Sequence, residues 1–164
     1  MSGDEELLRW RAARYARPAA PPQQEVTELV AFVRGEGHYA LPLASLREIR
    51  PLTHLARVPG ASPVVAGVFH FRGELLGAHD LGRWLGRGGG ARPGWVLVVE
   101  HADARLGLLA DEVAGIERMP SDQLAPVPVT LGERGACFRG VFNGQRLLLE
   151  PERLFSTPAF FRAF

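Results

Sequence analysis

Five histidines and one cysteine are the first side chains in this 164-residue chain to test for metal, acid–base or nucleophilic chemistry. His38, His54, His70, His79 and His101 fall on separate expected strands and loops, with neither helical spacing nor a companion cysteine. That excludes a zinc pattern, which needs ligands converging at short fixed intervals. His79 and Asp80 are neighbours, but successive residues of a strand point to opposite faces, so they make no catalytic dyad. No G-x-S-x-G elbow is present, and Cys137 reads as a small buried apolar residue on a strand. The run G-R-G-G-G-A-R-P-G at 86–94 lacks the Gly-Lys-Ser/Thr ending of a phosphate loop and opens a strand, so it reads as a linker. No acid, base and nucleophile can be assembled, and neither a cofactor nor a metal is expected. Four polar residues stand out beside apolar runs: Glu48, Arg72, Asp80 and Asp111. Arg72, at a hairpin end, can tie two strands or subdomains together, or meet a partner's carbonyls and carboxylates; both readings stay open.

The elements that must position these residues are mostly strands. Residues 1–24 are the exception. Ser2 and Glu5 have capping-box spacing, Leu8, Ala12 and Tyr15 share one helical face, and Pro18, Pro21 and Pro22 end the helix in a stiff connector. This helix reads either as a solvated tail or as a partner-docking element. From Val26 the period becomes that of strands. Val26–Val33 and His38–Leu43 flank a G-E-G turn, and Ala44–Arg50 is a helical turn or a strand with Leu46 and Ile49 on its apolar side. Val64–Arg72 is a strand with Phe69 and Phe71 on one face, closed by a Gly73-Glu74 turn of type II′. Asp80 should cap a helical turn over Leu81–Leu85. After the linker come strands at Trp95–Glu100, Leu106–Ala110 and Val113–Met119, and then a proline-rich loop over Pro120–Gly135. Asn143-Gly144 is a type I′ hairpin signal. Pro151 opens a last helical turn.

Composition bounds the class. At 46% hydrophobic residues the chain can bury a core, as one compact domain or two closely packed small ones. The net charge of +1 gives no field that argues for nucleic acid, and all 19 basic residues are arginine. A single cysteine allows no intrachain disulfide, and no apolar run approaches the ~20 residues of a membrane helix. A cytoplasmic protein is expected.

An internal repeat organises the rest. Gly67-Val68-Phe69 matches Gly140-Val141-Phe142, and 28–49 matches 94–116, at an offset of roughly 70 residues. The chain therefore reads as two versions of one small β unit.

These residues carry a resemblance. The runs F-V-R-G-E-G-H-Y-A-L-P-L, L-R-E-I, V-A-G-V-F-H-F-R-G-E-L-L-G-A-H-D-L, R-L-G-L-L-A-D-E-V, F-R-G-V-F and R-L-L-L-E-P-E-R-L-F, spread over residues 28–155, resemble the CheW-like domain of bacterial chemotaxis coupling proteins. The resemblance implies an all-β fold of two intertwined five-stranded SH3-like barrels with short helical turns, here preceded by the N-terminal amphipathic helix. It divides the chain into a helix and connector at 1–24, the domain at 25–156 and a tail at 157–164. It also implies a non-enzymatic adaptor bridging the cytoplasmic tip of a chemoreceptor and the regulatory domain of a CheA-type histidine kinase, without entering the membrane. Matched position by position, Leu46, Glu48, Ile49, Gly67, Val68 and Arg72 would meet the receptor. Gly73, Gly107, Asp111 and Val113 would serve the kinase side. The chain departs from the pattern at His70, where asparagine is usual, and at Gly77-Ala78, where proline and an aliphatic residue are common. Those departures motivate a second reading, a paralogue that binds a receptor or dedicated partner without recruiting the kinase. A third, nucleic-acid binding by a small barrel with an arginine-rich arm, predicts affinity that falls steeply with salt.

Overall fold

The computed structural model describes residues 25–87 and 92–161. The expected N-terminal helix, the glycine core of the linker and the last three residues lie outside them. Ten strands and two short helices follow in chain order: β1 (Val26–Arg34), β2 (Gly37–Pro42), β3 (Leu46–Pro51), β4 (Val65–Phe71), β5 (Glu74–His79), α1 (Leu81–Trp84), β6 (Trp95–His101), β7 (Ala104–Ala110), β8 (Glu112–Pro120), β9 (Phe138–Phe142), β10 (Arg146–Leu149) and α2 (Pro151–Phe155). The proline-rich loop expected after β8 winds into 3₁₀ turns at Ser121–Gln123 and Val129–Cys137.

The strands form two five-stranded sheets. One runs β8-β1-β2-β10-β9 and the other β3-β6-β7-β5-β4. Each takes two strands from one half of the chain and three from the other, so the halves are intertwined, as the family resemblance implied. A single backbone bridge closes each sheet into a barrel. Ala56 and Val68 exchange hydrogen bonds of 2.9 and 2.7 Å, and Ala125 and Val141 exchange bonds of 2.7 and 2.9 Å. The repeated glycine makes both closures possible. A Cβ on Gly67 would stand 2.6 Å from the Ala56 carbonyl oxygen, and one on Gly140 2.5 Å from that of Ala125.

Three apolar cores result. Phe69, Phe71, Leu76, Val96 and Val98 fill the second barrel, while Leu29, Met119, Phe142 and Leu148 fill the first. A larger core between the barrels takes Val30, Phe32, Tyr39, Leu97, Val99 and Leu108, with Leu81, Trp84 and Phe160. Alternate residues of β1 and β6 thus face their own barrel and its neighbour. Burial on both faces is why 96–99 reads V-L-V-V without a polar break.

Arg34, which the sequence did not single out, links the two barrels. It is buried at the end of β1 and donates to both carboxylates that the sequence did single out. Its Nε and Nη2 reach Asp80 at 3.2 and 2.9 Å, and its Nη1 reaches Asp111 at 2.8 Å. Asp80 also accepts from the Gly82 amide at 2.9 Å, capping α1 as expected. Asp111 accepts from the Gly35 amide at 2.6 Å.

The packed structure continues past α2. Phe160 is completely buried, and its ring stacks on that of His79 at 4.5 Å and 6°. Burial holds the His79 imidazole neutral, lowering its pKa to about 4 against a bond involving the Phe160 backbone that raises it.

Two outcomes follow for stability. Arg34→Met removes both guanidinium hydrogen bonds from the buried Asp80, leaving it only the Arg83 cation at 3.6 Å, and should cost about 3–5 kcal/mol in urea unfolding; a loss under 1 kcal/mol would show that the clamp is dispensable. Between pH 6.5 and about 4 the unfolded chain binds a proton at His79 that the native chain does not. Stability should therefore decline as pH falls through that window, by roughly 3 kcal/mol from this group. His79→Phe should flatten that part of the profile; an equal decline in parent and variant would place the effect elsewhere.

Candidate functional site

An irregularity in β3 assembles the first cluster. Leu46 pairs with Val99, Glu48 with Val98 and Ile49 with Leu97, so one extra residue is accommodated between Leu46 and Glu48. The bulge brings Leu46 and Ile49, three apart, onto the same sheet face as Leu97 and Val99, as expected. Pro51 and Trp95, directly opposed at the end of the ladder, continue that face. The outcome is an apolar strip of Leu46, Ile49, Pro51 and Trp95 along the margin of the inter-barrel core, with Ile49 36% and Trp95 39% exposed. Nothing in local sequence marked Trp95, because its partner lies 44 residues away. Glu48 points to the other face and pairs with Arg50 at 3.8 Å.

The β4–β5 hairpin builds the neighbouring cluster, with one correction to the expected turn. Phe71 pairs with Glu74, so the loop is Arg72-Gly73, one residue earlier than the glycine-first reading placed it. Both loop residues have positive φ, 47° and 83°, as type I′ requires and type II′ does not. Arg72 is held in the left-handed region with its guanidinium exposed, 5.1 Å from the Phe71 ring centroid. Arg50 lies 5.8 Å from the same centroid and donates to the His70 carbonyl at 3.0 Å, joining edge strands β3 and β4. Val68 faces outward at this seam and lines a groove of about 270 Å³ with Leu52, Leu75, Arg50, His54 and His70. Gly67 lies underneath as the closure glycine. The departure at Gly77 has a packing reason: a Cβ there would stand 3.0 Å from His79 Nε2.

The remaining candidates do not gather into one surface. Gly73 is at the hairpin tip. Gly107 is buried, and a Cβ there would stand 2.5 Å from the Phe69 ring, so its place is in packing. Asp111 binds Arg34 between the barrels. Val113 packs at the edge of the shared core on the first barrel. There the β1–β8 ladder repeats the β3 bulge, pairing Val113 with Phe32 and Ile116 with Val30. Val113 and Ile116 are therefore the first barrel's counterparts of Leu46 and Ile49.

The arrangement offers binding faces. Burial pushes the Cys137 thiol up to about 12, and the thiol donates to the Arg134 carbonyl at 3.5 Å, which makes it a packing group and not a nucleophile. Among the described residues no group of three or more His, Cys, Asp or Glu could hold a metal ion. No described helix is long and apolar enough to cross a membrane.

Comparison with known proteins adds to this geometry. A family model described as the CheW-like domain matches residues 28–159. The chain is 32% identical to Protein PilI of Pseudomonas aeruginosa over 145 residues, covering 82% of this chain and 80% of that protein. It is 28% identical to the chemotaxis protein CheW of Helicobacter pylori, covering 72% and 73%. The crystal structure of the scaffolding protein TtCheW from Thermoanaerobacter tengcongensis superposes with a TM-score of 0.67 at 19% identity, over 77% of this chain and 90% of that one, a likeness of fold.

The hairpin tip permits a clean separation of shape from charge. Arg72→Asn keeps a residue that tolerates positive φ and removes the guanidinium, so the thermal midpoint should hold or rise, by up to about 1 kcal/mol in stability. A clear fall in the midpoint would show that the guanidinium holds the hairpin together.

Proposed function

The chain belongs to the CheW-like domain family of scaffold and adaptor proteins, and on that premise we propose that it couples the helical cytoplasmic tip of a chemoreceptor to the regulatory domain of a CheA-type histidine kinase. The observation that carries the receptor half is the apolar strip of Leu46, Ile49, Pro51 and Trp95 on the second barrel. An amphipathic helical hairpin can lay its apolar stripe along such a strip. Across the edge strand β3, on its other face, Glu48, Arg50 and the hairpin-tip Arg72 supply polar groups for the periphery, where charges set register and approach more than affinity. The kinase half draws on the family and on Gly73 at the hairpin tip. The adaptor makes and breaks no bond; its work is to hold two proteins in fixed relation.

A second reading keeps receptor binding and replaces the kinase with a dedicated partner. His70 in place of the usual asparagine, Gly77 beside His79, and a relative named PilI favour it. One experiment addresses both readings. The purified chain is used to capture a receptor cytoplasmic fragment and a kinase regulatory domain, separately and together. The coupling reading expects a stable ternary complex, and Ile49→Asp should weaken receptor capture at least about tenfold while sparing kinase capture. Capture of receptor alone supports the second reading, and capture of neither defeats both.

A further inference from the structure

The internal symmetry builds the Leu46–Ile49 arrangement twice, but the two copies differ in what surrounds them. On the second barrel the strip is apolar throughout. On the first, the residue opposite Arg118 is Glu28, so the same ladder position that pairs Trp95 with Pro51 carries a charge pair. Even so, Ile116 is 61% and Val26 52% exposed on this face, more than Ile49 or Trp95 of the strip across the molecule. Val26, Glu28, Ile116 and Arg118 share the sheet face that leads into the inter-barrel core.

The place where the chain enters the fold bears on what covers this patch. Residues 1–24 precede Val26, itself part of the patch, and the match to the family begins only at residue 28. The Glu25 carbonyl is fixed by the Ser121 amide at 3.0 Å, at the β8 end nearest the patch. A groove of about 470 Å³ opens there between Val26, Glu28, Leu43 and Ala44. In sequence the preceding segment offers Leu8, Ala12 and Tyr15 at helical spacing, with Arg11, Arg14 and Arg17 able to approach the exposed Glu28. The connector from Pro18 to Gln24 reaches roughly 20 Å if extended, and a twelve-residue helix is about 18 Å long. Both suffice to fold back along β8 over Ile116, at the high effective concentration that a short tether gives.

We propose that the segment before Val26 packs its Leu8–Tyr15 face on the Val26–Ile116 patch of its own first barrel. The twofold scaffold then presents one open apolar strip, that of Ile49 and Trp95, instead of two. The inference does not depend on which partner the open strip binds.

The test uses the full chain and the molecule's own symmetry as control. Leu8→Cys is combined with Ile116→Cys in one variant and with Ile49→Cys in another, and both are equilibrated in glutathione buffer; Cys137, buried, stays out of the exchange. An intramolecular disulfide should accumulate roughly tenfold more in the Ile116 pair. Equal yields, a preference for Ile49, or disulfide-linked dimers only would overturn the proposal, the last by placing a second copy on the patch. In case the cysteine variants fold poorly, amide exchange across 112–120 in the unsubstituted chain is compared with that in Leu8→Asp/Tyr15→Asp. Faster exchange in the variant is expected, and unchanged exchange would sink the idea.

Discussion

A single guanidinium sets how the two barrels meet. Arg34 leaves β1 at the point where the chain turns into β2, and its planar fork takes one carboxylate from the β5–α1 junction and another from the β7–β8 junction. At the β7–β8 junction the chain crosses from one sheet to the other, whereas the β5–α1 junction belongs to the second barrel, so the bond to Asp80 ties β1 to an element that no strand ladder joins to it. Burying the Arg34 and Asp80 charges, with Asp111 half-buried beside them, is expensive, and such a group contributes more to a unique geometry than to net stability. Its value here is registry. A hydrophobic replacement could fill the space, but it would not specify which loop lies against which.

Around that clamp, the intertwining of the halves makes most strands serve two cores. β1 and β6 send alternate residues into their own barrel and into the shared interior, which leaves little room for polar substitution in either. Side chains free to meet a partner therefore gather at edges: the ends of the β3 and β8 ladders, the hairpin tip at Arg72-Gly73 and the seams where each barrel closes. The candidate site lies on these edges for that reason. The bulge in β3 is the decisive detail, since without the extra residue Leu46 and Ile49 would face opposite ways and no continuous apolar strip would form.

The duplication also accounts for residues that carry motif signals without touching the surface. Gly67 and Gly140 repeat because each allows a carbonyl to approach to close a barrel, and Gly107 is there because Phe69 and Val96 occupy the space a side chain would take. A glycine in a family motif can thus mark a packing constraint under a binding face. Gly77 shows the converse. It departs from the common pattern because a buried histidine, itself stacked on Phe160, has taken the room.

The sequence by itself determined the all-β class, the order and approximate bounds of the strands, the internal repeat and the capping role of Asp80, because these follow from side-chain period, turn chemistry and local hydrogen bonding. It also picked out Asp80 and Asp111 as unusual carboxylates beside apolar strands. It did not identify the cation that joins them, and considered Arg72 for such a tie. Arg34 stands 46 and 77 residues from its partners, so no local pattern points to it. The turn at Arg72-Gly73 was misplaced by one residue because glycine satisfies either turn type and only the ladder register decides. Tertiary structure alone put Trp95 beside Ile49, separated the kinase-side candidates among a tip, an interior and an interface, and left Ile116 exposed. In each case the deciding contact joins segments far apart in sequence, and no local pattern encodes that distance.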